Sequence, residues 1–429
     1  MNLLLSILLF CSYTQGTSLL VPPFKHTLGF YRTSKLYMNL YLGDDFELSD
    51  PQGITGAKMD EENDFTTTND EHILTLFAVN SGDGQIIYNV KLSDLKVFGK
   101  LGSGPGEFRS PAGITANSKG EVYVADAGNN RIVKLRYAKT KLCFDRIIVD
   151  SLGSPKGVAL DSKRNLYVAD TKNSRIIVFD STGAFKYSWH DSLNQPTAIS
   201  IIDKDDDYNY YLDDYLIVID NENKRIQKFS REGKFFARID ARMIGLTETY
   251  FAYSTIDYHG NVYITDMINN QIHKFDHSLN YIISIGRQGD GELEFQQPRG
   301  IFISKRLGQV FTTDVSGAQY YLIGTDGYII GTFPSLITND TTGTTIALYL
   351  TELSQVKIEI SDSTKTIIRT IIPSGYSEPG QVLINWDGKD KTGNFVTSGQ
   401  YTIHTYLYPT YSAPKSYFKK ELETKVRKT

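Results

Sequence analysis

The chain reads as all-β: a radial array of short four-stranded sheets followed by a separate β-sandwich. Three observations carry this. A motif of blade length recurs about six times. Its segments alternate polar and apolar residues at period two, between turns rich in Gly, Asn and Asp. From about Thr338 that repeat stops and strands of another spacing take over. The composition agrees, with 35 Gly, 28 Tyr and 22 Phe among 429 residues.

The clearest copy runs from Gly104 to Leu135. Pro111-Ala112-Gly113-Ile114 opens a strand, and Asn117-Ser118-Lys119-Gly120 is a polar turn. Val122-Tyr123-Val124-Ala125 is a second strand, β-branched and aromatic, and Asp126 closes it. Ala127-Gly128-Asn129-Asn130 turns the chain into Arg131-Ile132-Val133-Lys134-Leu135, a third strand. Further copies open at Pro155, Pro196 and Pro298, with second strands ending at Asp170, Asp220 and Asp314. A copy ending at Asp266 lacks its Pro, and a degenerate first copy runs from Pro51 to Asn80 and Gln85-Ile86. The marker residues at 80, 126, 170, 220, 266 and 314 are roughly 44 to 50 apart, the length of a propeller blade.

A sheet this small cannot bury both faces alone, so neighbours must stack around an axis. Gly after Pro suits an innermost strand, where backbones crowd. The closing aspartates are expected to accept hydrogen bonds from the following turn rather than to share a metal.

The motifs GPGEF, PxGI and YVADxxNxRI together resemble the NHL repeat family over about residues 40 to 335. The resemblance implies a six-bladed β-propeller with a central channel. Residues 36 to 42 are expected as an outer strand closing the ring, a role for which Tyr328-Ile329-Ile330 competes.

In the C-terminal part, segments at 346–350, 356–360, 366–371, 382–386 and 401–406 read as strands of a small sandwich. Trp386-Asp387-Gly388-Lys389-Asp390 through Ser398-Gly399-Gln400-Tyr401 resembles the FlgD-like immunoglobulin-like (Ig-like) domain of extracytoplasmic bacterial proteins. That resemblance implies an exported bacterial protein with a module for display, spacing or docking. Trp386 is expected in the core, and the glycines in turns of positive φ. The expected organisation is a signal peptide over 1–16, a propeller over 36–335, an Ig-like sandwich over 340–410 and a solvated basic tail over 411–429.

The apolar run Leu3 to Phe10 is too short to span a bilayer, which needs ~20 residues. It fits the core of a secretory signal cleaved after Gly16, leaving no transmembrane segment in the mature chain. Cys11 would suit a lipoprotein, but Phe10 stands where a small residue is wanted. Once the signal is removed only Cys143 remains, so no intramolecular disulfide can form.

The net charge of −4 gives no support to nucleic-acid binding. Two loops are long and acidic, over 60–71 and 203–214. The second has the ligand spacing of a calcium loop at Asp203, Asp205, Asp207, Asn209 and Asp214, but Tyr208 occupies the glycine position. A solvated loop is expected. A metal at Asp387 and Asp390 is the weaker reading there too.

Residues after the blade prolines should surround one channel mouth: Gln52, Ala112, Lys156, Thr197 and Arg299. Arg131, Arg175 and Arg225 should lie on the same face further out. This basic and amide surface suits carboxylates, glycans or an acidic peptide segment. None of the seven histidines follows a blade Pro, and no nucleophile elbow, HExxH or phosphate loop is present. No cofactor is expected. A binding or scaffold protein of the cell envelope, holding a protein, peptide or glycan, is expected ahead of the alternative, a metal-dependent propeller lyase or lactonase acting at the channel mouth.

Overall fold

The computed structural model describes residues 17–22, 32–64, 66, 73–338, 343–410 and 418–429. The signal-peptide reading and Cys11 lie outside these residues. The chain divides into two compact units, Val21–Leu322 and a second made of Ile323–Thr429 with Met1–Leu20.

Unit Val21–Leu322 holds the repeats as six antiparallel sheets, blades one to six in chain order, each with four strands from this unit. Their innermost strands are Pro51–Ala57, Pro111–Ala116, Val158–Leu160, Pro196–Ile202, Phe251–Ile256 and Ile301–Ser304. Each touches the next, and the sixth touches the first, so the ring is closed. Second strands such as Glu121–Asp126 and Tyr215–Asp220 are buried along their whole length, because a blade lies against each face. Outermost strands such as Phe185–Trp189 are largely exposed.

Glycine after the blade proline has the steric reason the sequence suggested. A Cβ on Gly113 would stand 2.3 Å from the Lys156 carbonyl oxygen, and one on Gly300 would stand 2.5 Å from that of Gln52. The approach is so close because the Gly113 amide donates to the Lys156 carbonyl at 2.8 Å. At four other seams a side chain reaches the next innermost strand. Thr171 donates to the Pro196 carbonyl, Asn221 to Phe251, Thr265 to Arg299 and Thr313 to Gln52, all within 2.8 Å.

The closing strand differs from expectation. Residues 36–42 are not a strand; Lys35–Leu42 is a helix. The strand that completes blade six is Arg32–Ser34, paired antiparallel with Gly317 to Gln319. The alternation of Leu36, Met38, Leu40 and Leu42 looks strand-like, but the inward pair is Met38 and Leu42, at helical spacing. They pack with Phe46, Ile87 and Leu95, while Leu36 and Leu40 are 70% and 72% exposed. Tyr328-Ile329-Ile330 belongs to strand Gly327–Phe333, which pairs with Thr344–Leu350 in the other unit.

That unit is a sandwich of one three-stranded and one five-stranded sheet. Ile346, Leu348, Val356, Ile358, Ile403 and Trp386 meet between them. The basic tail is also a correction. Lys420–Lys428 is a strand paired along Gly399–Pro409. Leu422 and Val426 join the core at period two, while Lys419, Glu421, Glu423, Lys425 and Arg427 face outward. The charged outer face concealed the alternation. Residues Thr17 and Ser18 belong to this body as well, bonded to Asp326 and Thr351.

Candidate functional site at the channel mouth

Each second strand ends on the same face, called the upper face, and its last residue organises the local structure. Asp126 has no solvent exposure. It accepts from the Arg109 amide at 2.7 Å, from Asn129 Nδ2 at 2.8 Å and from Arg131 Nε at 2.7 Å. Asp170 repeats this with Gly153, Asn173 and Arg175, and Asp220 with Asn194 and Arg225. The expectation of backbone partners in the following turn was too narrow. The carboxylate ties the segment before its blade to the start of the third strand. In blade six Gly317 pairs with Asp314 where that arginine would be, Gln319 donates to the carboxylate from further along the strand, and Arg32 from the closing strand supplies the guanidinium.

Asp266 of blade five lacks an arginine and uses His273 at 3.2 Å, with Thr249 and Asn269. Burial alone would raise this carboxyl, but the bonds from His273, Thr249 and Asn269 outweigh it and hold it at about 2. A depressed native value stabilises the fold above the unfolded pKa near ~4 and loses that contribution as pH falls through the native value. Acid unfolding followed by near-ultraviolet circular dichroism should therefore show a component between about pH 4 and pH 2 that Asp266→Asn flattens.

These ties determine what the expected site residues can offer. Arg131 is buried, and its remaining donors serve the carbonyls of Ser103, Gly104 and Glu107. Arg225 is similarly turned to Asp220 and the Ser192 carbonyl. Arg175 bonds Asp170 through Nε only, and its side chain is 35% exposed. Thr197 is buried, its hydroxyl accepting from Asn221 at 2.5 Å, and Ala112 is buried too. Lys156 is half-buried, and its amine makes no ion pair among the described residues.

The opposite side of the mouth is knitted together. Arg299 pairs with Asp50, and Gln52 Nε2 donates to the same carboxylate at 3.1 Å. Tyr253 of blade five donates its hydroxyl to Gln52 Oε1 of blade one at 3.3 Å, reaching past blade six. Burial pushes the Tyr253 phenol well up. Sequence reasoning assigned no mouth residue to blade five because its Pro is missing. The signal was present in Tyr250-Phe251-Ala252-Tyr253, since Phe251 pairs with Asp266 as Pro196 pairs with Asp220.

On the lower face the loop over 203–214 is largely exposed, as expected, but several of its carboxylates are tied to neighbouring blades. Asp203 is buried and accepts from the Ser162 amide and hydroxyl of blade three. Asp205 pairs with Lys163 at 2.9 Å, and Asp206 with Lys305 of blade six at 2.6 Å. Asp60 pairs with Lys119, and Glu62 accepts from the Tyr137 hydroxyl, both in blade two. These contacts clip one blade to another, so most of the described carboxylates of these loops already have partners. Among the described residues, no three His, Cys, Asp or Glu side chains converge to hold a metal ion. No helix among them is long and apolar enough to cross a membrane.

The NHL repeat model matches residues 108–135 and 152–179, and the FlgD Ig-like domain model matches residues 335–407. No curated protein matches the chain in a sequence comparison. Among solved structures the chain is similar to a streptogramin B lyase, at 15% identity over 65% of this chain and 94% of that one, with a TM-score of 0.45. It is similar to a calcium-binding protein, regucalcin, of Agrobacterium tumefaciens, at 12% identity over 65% and 91%, with a TM-score of 0.45. It is also similar to PorZ, a surface component of the type-IX secretion system of Porphyromonas gingivalis, at 11% identity over 91% and 53%, with a TM-score of 0.46. At these identities the likeness concerns the fold.

Proposed function

We propose that this chain, which carries NHL repeats in a β-propeller and a FlgD Ig-like domain later in its sequence, is an exported bacterial binding or scaffold protein. Its upper face holds an acidic peptide or a carboxylate-bearing glycan of the cell envelope. The observation that carries this is the distribution of uncommitted cations. Arg131, Arg225 and Arg299 are engaged inside the fold, whereas blade three presents Lys156, the exposed Lys172 and the terminal nitrogens of Arg175 together on one rim. Arginine and lysine so placed can take a carboxylate without first breaking a buried pair. Gln52 and Thr197 bound the mouth on either side and would contact only the deepest part of a ligand.

The test is a screen of the intact protein against immobilised acidic peptides and uronic-acid glycans at two salt concentrations. The expected result is salt-sensitive binding that falls about tenfold in Lys156→Ala,Lys172→Ala, about 1.4 kcal/mol. Binding that ignores both lysines, or no binding to either class, would remove the proposal.

A further inference from the structure

Beneath the upper mouth lies a second, separate space. It is a cavity of about 380 Å³ along the axis, and none of the upper-mouth residues lines it. It continues to the lower face, where Lys58, Asp206, Tyr208 and Lys305 frame it. Its size falls within the range of small-molecule sites, ~300–1,000 Å³.

The wall at its inner end is a collar of one residue per blade, the residue three after each blade proline or its equivalent. Five blades place a β-branched aliphatic there: Ile54, Ile114, Val158, Ile199 and Ile301. Blade five alone breaks the collar, with Ser254. The break is paired. Ser254 donates its hydroxyl to Ser200 Oγ of blade four at 2.9 Å, and the two residues are 9% and 8% exposed. Ser200 therefore accepts through one of its two lone pairs, and its own proton meets no acceptor among the described residues. A donor is thus left within the aliphatic collar itself, while the hydroxyls of Thr55, Thr115 and Thr255 line the cavity below it. At the lower opening, Lys305 and Asp206 join blades six and four, which are not neighbours in the ring, and so span the entrance.

We propose that this cavity is a binding site for a small, uncharged molecule that has an apolar end and, beside it, a carbonyl or ether oxygen. The collar takes the apolar end, and Ser200 donates to the oxygen. The Lys305–Asp206 pair stands across the path of entry. This site is independent of the upper-face reading, because it opens on the opposite face and uses none of the same side chains.

The probe is the solvatochromic naphthyl ketone Prodan, titrated into the full chain and followed by its fluorescence. The expected result is saturable binding at one site per chain, with a blue-shifted emission. Ser200→Ala should weaken binding about fivefold, the loss of one hydrogen bond, and shift the emission further to the blue as the carbonyl loses its donor. Ser254→Ile, which installs the residue type of the other blades, should abolish binding while leaving the circular dichroism spectrum unchanged. Lys305→Ala should speed association. The proposal is overturned if the native protein shows no saturable site, or if Ser200→Ala and Ser254→Ile both bind Prodan as the native protein does.

Discussion

Replacing Asp126 with Ala is expected to destabilise the propeller by about 3–5 kcal/mol, the cost of breaking a buried pair from one side. The Arg131 guanidinium would stay buried with its carboxylate gone, and the Arg109 amide and Asn129 would lose an acceptor. The readout is the denaturation midpoint of the intact protein together with hydrogen exchange. Protection should fall first between residues 109 and 135. Blade one supplies an internal control. There Asn80 does the same work with Gln85, accepting from the Ser49 amide at 2.7 Å and donating to Gln85 Oε1 at 3.1 Å. The double variant Asp126→Asn,Arg131→Gln copies that arrangement and should be clearly less destabilised than Asp126→Ala. If the two lose equal stability, the carboxylate's value lies elsewhere than in this pairing.

The second large effect belongs to the sandwich. Trp386 is 1% exposed, its Nε1 donates to the Lys389 carbonyl at 2.9 Å, and its ring meets that of Tyr401 edge-on at 5.6 Å. Trp386→Ala removes the largest fully buried side chain of that core and should cost about 3–5 kcal/mol in the unit that contains it. Hydrogen exchange should lose protection in Thr344–Leu350, Gly380–Trp386 and Gly399–Pro409, the strands around the indole. Slowed exchange in Glu121–Asp126 should persist. Trp386→Phe should recover part of the loss, because it keeps the aromatic contact but not the hydrogen bond.

Much of this molecule is legible along the chain because its period is local. Blades two and three repeat the same turn chemistry in full and the others in part, so Pro-x-Gly, the closing aspartate and the following arginine mark position without any tertiary knowledge. Asp390 is read the same way: its carboxylate accepts from the Thr392 and Asn394 amides of its own turn. What fails is whatever depends on residues far apart in sequence. Arg32 serves Asp314 from 282 positions away, and nothing at either end announces it. Tyr253 reaches Gln52 across 201 positions and occupies the mouth in the blade that lacks its proline.

The arginines show the same division. Their sequence position places Arg131, Arg175 and Arg225 on one face. Position cannot say which guanidinium has donors to spare, because that depends on where the preceding loop puts its carbonyls. The loop at 103–107 turns three toward Arg131, while Arg175 receives no such shell.

By itself, then, the sequence determined the strand pattern, the blade repeat and the presence of a second β domain, since each is set by side-chain periodicity and turn residues within a few positions. Tertiary structure alone decided that Arg32–Ser34 closes the ring, that Lys420–Lys428 completes the sandwich, and that the collar is broken by Ser254 beside Ser200. The physical reason is common to all three. A strand's partner, a cation's carboxylate and a hydroxyl's free proton are properties of pairs, and the members of each pair meet only when the chain has closed on itself.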